Sequence, residues 1–160
     1  VSDDDKHPIK PEAAAAQATD YLGFMGSAVY DLGEGETWTL PNPNMMPPAM
    51  KNRYLEHLRF MAEDLDTDER KDPITGEMRP VQKFPIRHGG KLINDEELLA
   101  IALMGTDAEE DRAAYLKDGT LPAVYAKFLK AGGVPGQLNT AWQMMERQLR
   151  ERMKQDSKSS

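Results

Sequence analysis

LNTAWQMMERQLRERM, residues 138–153, sets Leu138, Trp142, Met145, Leu149 and Met153 at spacings of four, three, four and four. A helix, with 3.6 residues per turn, gathers such a series on one side. Pro135 suits a first helical turn, where a missing N–H costs nothing. Arg147, Arg150, Arg152 and Lys154 gather toward the other end, the favourable end of the helix dipole for cations. The pattern predicts a long closing helix, with residues 154–160 a flexible tail.

Upstream the same logic repeats. Thr120 is the expected cap of a helix carrying Val124, Tyr125, Phe128 and Leu129, closed by Gly132-Gly133. Asn94 followed by Glu97 reads as a capping box before Leu98, Leu99, Ile101, Ala102 and Leu103, with Gly105 as the stop. Thr106 or Asp107 can cap further turns through Tyr115 and Leu116, until Asp118-Gly119. After Pro47-Pro48, the residues Met50, Tyr54, Leu58, Met61 and Leu65 form one apolar stripe that Leu55 widens, leaving Lys51, Arg59 and Glu63 outside.

Other segments lack the helical period. Tyr30 and Leu32, then Trp38 and Leu40, alternate with polar neighbours about Gly33-Glu34-Gly35, the pattern of a short β-hairpin. Two strands alone are marginal, so a helical core is expected to support them. Residues 66–80 read as an exposed, solvated loop with a tight turn at Asp72-Pro73-Ile74-Thr75-Gly76. Val81–Ile93 reads as two extended segments about a glycine turn, with Pro85 keeping the first at an edge. The expected fold is mainly α: a small helical domain over 47–153, a hairpin or extended segment over 21–46, and flexible termini, of which 1–20 is an acidic tail.

Composition narrows the chemistry. The chain has 160 residues, net charge −7 and no cysteine, so disulfides, thiolate metal sites and cysteine nucleophiles are excluded. Residues 1–80 hold 16 acidic and 8 basic side chains, whereas 81–160 hold 11 and 12. Such a field does not draw nucleic acid or anionic lipid, and neither is an expected partner. No run approaches the roughly 18 apolar residues of a membrane span, and the acidic opening is unlike a signal peptide.

Candidate sites fail on spacing. A calcium loop begun at Asp64 needs Gly at its sixth position and Glu at its twelfth; Glu69 and Thr75 stand there. Gly33 and Gly35 have no following Lys-Ser/Thr pair and read as turn glycines. His7, His57 and His88 are scattered, and no serine lies in an elbow motif. No catalytic, cofactor or metal residues are expected. Lys83, Arg87, His88 and Lys91 beside Gly89-Gly90 form a basic patch whose glycine amides could hold an anion, though a solubilising hinge is the plainer reading. Ten methionines are many for this length. Met45, Met46, Met50 and Met61 group near the first helix, and Met144, Met145 and Met153 in the last, as adaptable partner-gripping surface or as core filler.

TWTLPNPNMM (37–46), KLINDEELLAIALMG (91–105) and VYAKFLKAGGVPGQLNTAWQMMERQL (124–149) occur in that order. The succession resembles the tail assembly chaperones of long-tailed, siphovirus-type actinobacterial phages over roughly residues 36–155. The resemblance implies a non-enzymatic assembly factor in the host cytoplasm, absent from the mature virion. Its implied partners are the tape measure protein and the major tail tube protein. Many such proteins also have a longer form made by ribosomal frameshifting, which would be a further partner. A structural virion protein of the tail or head–tail region is the alternative. The expected partner-binding side chains are Leu98, Phe128, Trp142, Met145 and Leu149, because central desolvated anchors contribute more than rim charges.

Overall fold

The computed structural model describes residues 27–158, without the side chains of 149, 152, 153 and 155–158. The expected acidic tail and the start of the 21–46 segment lie outside the described residues. Those described form two compact units: 48–127, and 27–47 together with 128–158. The division replaces a single helical domain over 47–153, and its boundary falls within one helix, Ala123–Lys130.

In the 48–127 unit, α1 (Pro48–Glu63) packs on α2 (Asp95–Met104) and α3 (Ala108–Asp118). From Leu98 onward helix α2 is apolar on every side, and all seven residues from Leu98 to Met104 are buried. A helix without a polar face belongs at the centre. Asn94 caps it as expected, its Oδ1 accepting from the amides of Glu96 (2.8 Å) and Glu97 (3.3 Å). Asp95, Glu96 and Glu97 add negative charge at the positive end of the dipole. No basic residue occupies its last turn; Arg53 of α1 donates there instead, to the carbonyls of Ala102 (2.9 Å) and Leu103 (3.3 Å). Asp107 caps α3, and Gly119 ends it in the left-handed region (φ 76°).

The buried face of α1 differs from the expected stripe. Met50 and Phe60 are buried within it, and Leu65 just beyond its end, but Leu55 and Leu58 are exposed. Tyr54, His57 and Met61 are half-buried. Two overlapping stripes share Met50 and Met61, and apolar spacing alone does not choose between them. Phe60 decides the matter, with the Arg112 guanidinium 4.5 Å from its ring centroid and His88 5.5 Å away. It joins Leu65, Ile93, Leu98, Ile101 and Tyr115 in one core cluster.

Residues 66–80 are not a structureless loop. Strands β3 (Thr67–Lys71) and β4 (Met78–Gln82) pair antiparallel, Thr67 opposite Gln82 and Lys71 opposite Met78. The turn falls where expected: Asp72 Oδ1 accepts from the amides of Ile74 (2.8 Å) and Thr75 (3.3 Å), and Gly76 supplies φ 75°. All ten strand residues are exposed. With no buried side of the pair, the sequence lacks the alternation that marks a strand. After the cis Phe84–Pro85 peptide, β5 (Arg87–His88) and β6 (Lys91–Leu92) pair across Gly89-Gly90, as extended segments about a glycine turn.

In the other unit, β1 (Ser27–Gly33) pairs with β2 (Glu36–Pro41) in the expected hairpin, Tyr30 opposite Trp38. Helix α4 (Ala123–Lys130) begins after Pro122, whose carbonyl accepts from Ala126 (2.9 Å). Thr120 therefore does not cap it; its hydroxyl turns back to Asp118. Gly133 must be glycine, since a Cβ there would enter the Phe128 ring. Tyr30 meets the same ring edge-on at 5.5 Å. Helix α5 (Pro135–Lys158) carries Leu138, Trp142 and Met145 fully buried, and runs to 158 where the sequence reading began a tail at 154. The result is a mainly helical fold with short two-stranded sheets, three of them among the described residues.

Candidate functional site

Leu98, Phe128 and Trp142 are each 2% exposed and Met145 is 0% exposed. Leu98 belongs to the core of the 48–127 unit, and the other three lie in the second unit. As folded, these four side chains are core and present no surface to a partner. The side chain of Leu149 lies outside the described residues. The methionines divide: Met50 and Met145 are buried, Met45 and Met144 exposed, and the side chain of Met153 lies outside the described residues.

The accessible apolar surface is elsewhere. Phe84 is 95% and Ile74 92% exposed, and Met78 and Val81 are open to solvent beside them in sequence. Leu55 and Leu58 add an apolar strip to the outer side of α1. Sequence reasoning passed over the first group because it lies in a polar, proline-containing stretch without helical period.

The basic patch at 83–91 is neutralised from within. Both oxygens of the Asp66 carboxylate are held by glycine amides, Gly89 at 2.8 Å and Gly90 at 2.7 Å. Successive positive φ angles of 58° and 82° turn these two N–H groups to one side, the nest geometry that favours an anion. The glycine amides thus hold an anion, and it is the chain's own. These two bonds, Gly90 first, lower the Asp66 pKa. Arg87 donates to the Gly90 carbonyl (3.1 Å) and Lys91 to that of Leu116 (3.0 Å), while Lys83 lies 3.7 Å from Asp68. Asp66 carried no sequence signal, since its donors, the Gly89 and Gly90 amides, stand more than twenty residues away.

The second electrostatic centre joins α1 to α3. Glu56 accepts from Arg59 at 2.7 Å and from Arg112 at 3.0 Å. The hydrogen bond from Arg59, helped by that from Arg112, brings its pKa down to about 2. The same bond, with a further one donated by Arg59 to Asp64, raises that of Arg59. His57 stacks on Tyr54 and lines a shallow cleft with Arg53, Leu98, Ile101, Ala102 and Arg112. Burial, and then the Arg112 charge, depress the imidazole pKa to about 4, against a smaller opposing pull from Asp95. At neutral pH the pair is an ionised carboxylate and a neutral imidazole, neither poised to exchange a proton. This arrangement braces two helices. No group of three or more His, Cys, Asp or Glu side chains could hold a metal among the described residues.

The described chain is thus a small, mainly helical protein whose charged clusters are satisfied internally and whose two most exposed large apolar side chains, Phe84 and Ile74, lie around the β3–β4 arm. Comparison with protein-family models, curated proteins and solved structures finds no match to it.

Proposed function

We propose that this protein is a non-enzymatic tail assembly chaperone of a long-tailed actinobacterial phage. In this reading it binds the tape measure protein in the host cytoplasm, helps recruit major tail tube subunits, and does not remain in the virion. The observation that carries the reading is the ordered succession of 37–46, 91–105 and 124–149 described above. Exposed apolar side chains on an acidic chain support it, because they can cover hydrophobic segments of a partner while the net charge keeps the pair dissolved. We assign the contact to Ile74, Phe84, Leu55 and Leu58, in place of the buried anchors.

Co-expression with a tape measure protein tests this directly. The wild-type chain should co-purify with it and raise its soluble yield, whereas a folded Ile74→Ser/Phe84→Ser variant should do so less. No association and no gain in solubility with folded wild-type protein would refute the assignment. Mass spectrometry of purified particles separates the alternative, since stoichiometric presence in virions marks a structural component.

A further inference from the structure

We propose that β3 is a self-complementary edge at which two copies of this chain pair antiparallel, forming a four-stranded sheet in the order β4–β3–β3–β4. The inference concerns the open edge of the arm and is independent of the proposed function.

The backbone decides which edge is available. Asp72 donates to the Glu77 carbonyl (2.8 Å) and Lys83 to that of Asp66 (3.0 Å). Bonded and non-bonded pairs alternate along an antiparallel ladder, so 68/81 and 70/79 are the bonded pairs. Thr67, Glu69 and Lys71 therefore turn their N–H and C=O groups away from β4. They make no backbone bond outside the ladder among the described residues, and all five β3 residues are exposed. On the opposite edge, the outward positions are 78, 80 and 82. Pro80 has no N–H, so β4 cannot accept a strand there in the same way.

Charge then names the occupant and the register. Within one chain Arg70 stands opposite Arg79, a like-charge pair that weakens a two-stranded sheet. Arg79 is relieved by Asp72 at 3.3 Å, but no carboxylate bridges Arg70 among the described residues. Pairing two β3 strands about Glu69 places Asp68 of each opposite Arg70 of the other. Thr67 then faces Lys71, and the one like-charge pair, Glu69 with Glu69, has a Lys71 diagonal to each carboxylate. Moving the axis to Arg70 sets Arg70 on Arg70 and Asp68 on Asp72; moving it to Asp68 sets Asp68 on Asp68. The Asp68 axis would also bring Arg70 opposite Asp66, but that residue lies outside β3 and its carboxylate already holds the Gly89 and Gly90 amides. Only the Glu69-centred register pairs both Arg70 side chains with acids inside the strand. Four strands also escape the marginal stability of two.

Sedimentation equilibrium of the full chain tests the proposal. The apparent mass should climb with concentration from 17.9 kDa toward twice that value, and added salt should reduce the climb. Asp68→Arg sets Arg opposite Arg, and Arg70→Asp sets Asp opposite Asp, so each variant alone should associate about tenfold or more weakly. An equimolar mixture of the two restores opposite charges at both positions and should associate as the wild type does. Glu69→Pro removes an outward N–H, leaves the β3–β4 ladder intact, and should abolish pairing. Circular dichroism establishes that each variant is folded. A wild type that stays monomeric, self-association that survives both reversals, or a mixture that fails to recover would each overturn the proposal.

Discussion

Helix α2 and the β3–β4 arm are opposite solutions within the same 48–127 unit. In α2 every residue from Leu98 to Met104 is buried; in the arm every strand residue is exposed. The helix is held by what surrounds it. The arm is held by its own ladder and by a few bonds at its base, where Asp66 meets Gly89 and Gly90 and Gln82 reaches the Met61 carbonyl. Stability and accessibility are therefore assigned to different segments, and substitutions in the two should differ in kind.

The largest effect is expected in α2. Leu103→Ala should cost about 2–5 kcal/mol in chemical denaturation, as truncation of a fully buried leucine does. A loss under about 1 kcal/mol would mean that α2 is not the centre of its unit. Next comes the acid limb of stability. The folded His57 pKa of about 4 lies below its ordinary 6.5, so the unfolded chain takes up a proton first. The neutral imidazole's contribution is complete above pH 6.5 and is lost as pH falls toward 4, by about 2 kcal/mol for this half-buried group. His57→Gln should flatten the stability–pH curve within that window. The separate loss as Glu56 protonates, below its usual 4.5 and toward about 2, should remain.

Smaller effects test the base of the arm. Asp66→Ala should lower stability by less than either change above and speed hydrogen exchange at the Gly89 and Gly90 amides, with exchange in α2 almost unchanged. Equal acceleration in both segments would show that arm and helix unfold as one. The smallest change is expected for Phe84→Ser, within about 0.5 kcal/mol of wild type, even though the same variant should capture less tape measure protein.

How far the sequence could be read follows the same division. Capped helices were legible from Asn94, Gly105, Asp107 and Gly119, and the first hairpin from Tyr30, Trp38 and the glycines between them, because local chemistry alone dictates those features. The inner face of α1 was not, because its choice between Leu58 and Phe60 depends on Arg112 and His88, which the chain brings from elsewhere. The arm was missed because a pair of strands with no buried side leaves no alternation to detect. The candidate site fared worst for a related reason: Leu98, Phe128, Trp142 and Met145 are strongly apolar, and that same property took them into the interior.

The Arg53 bridge to the carbonyls of Ala102 and Leu103 bears on the order in which the chain is made. Helix α2 carries no cation of its own at its negative end and borrows one from a segment about fifty residues earlier. A ribosome releases α1 before α2, so the guanidinium is already outside the exit tunnel when the carbonyls that need it emerge. A circular permutant placing residues 94–127 ahead of 48–93 would reverse that timing while leaving the finished bond unchanged. Its folding yield during translation should fall even where its refolding from denaturant does not.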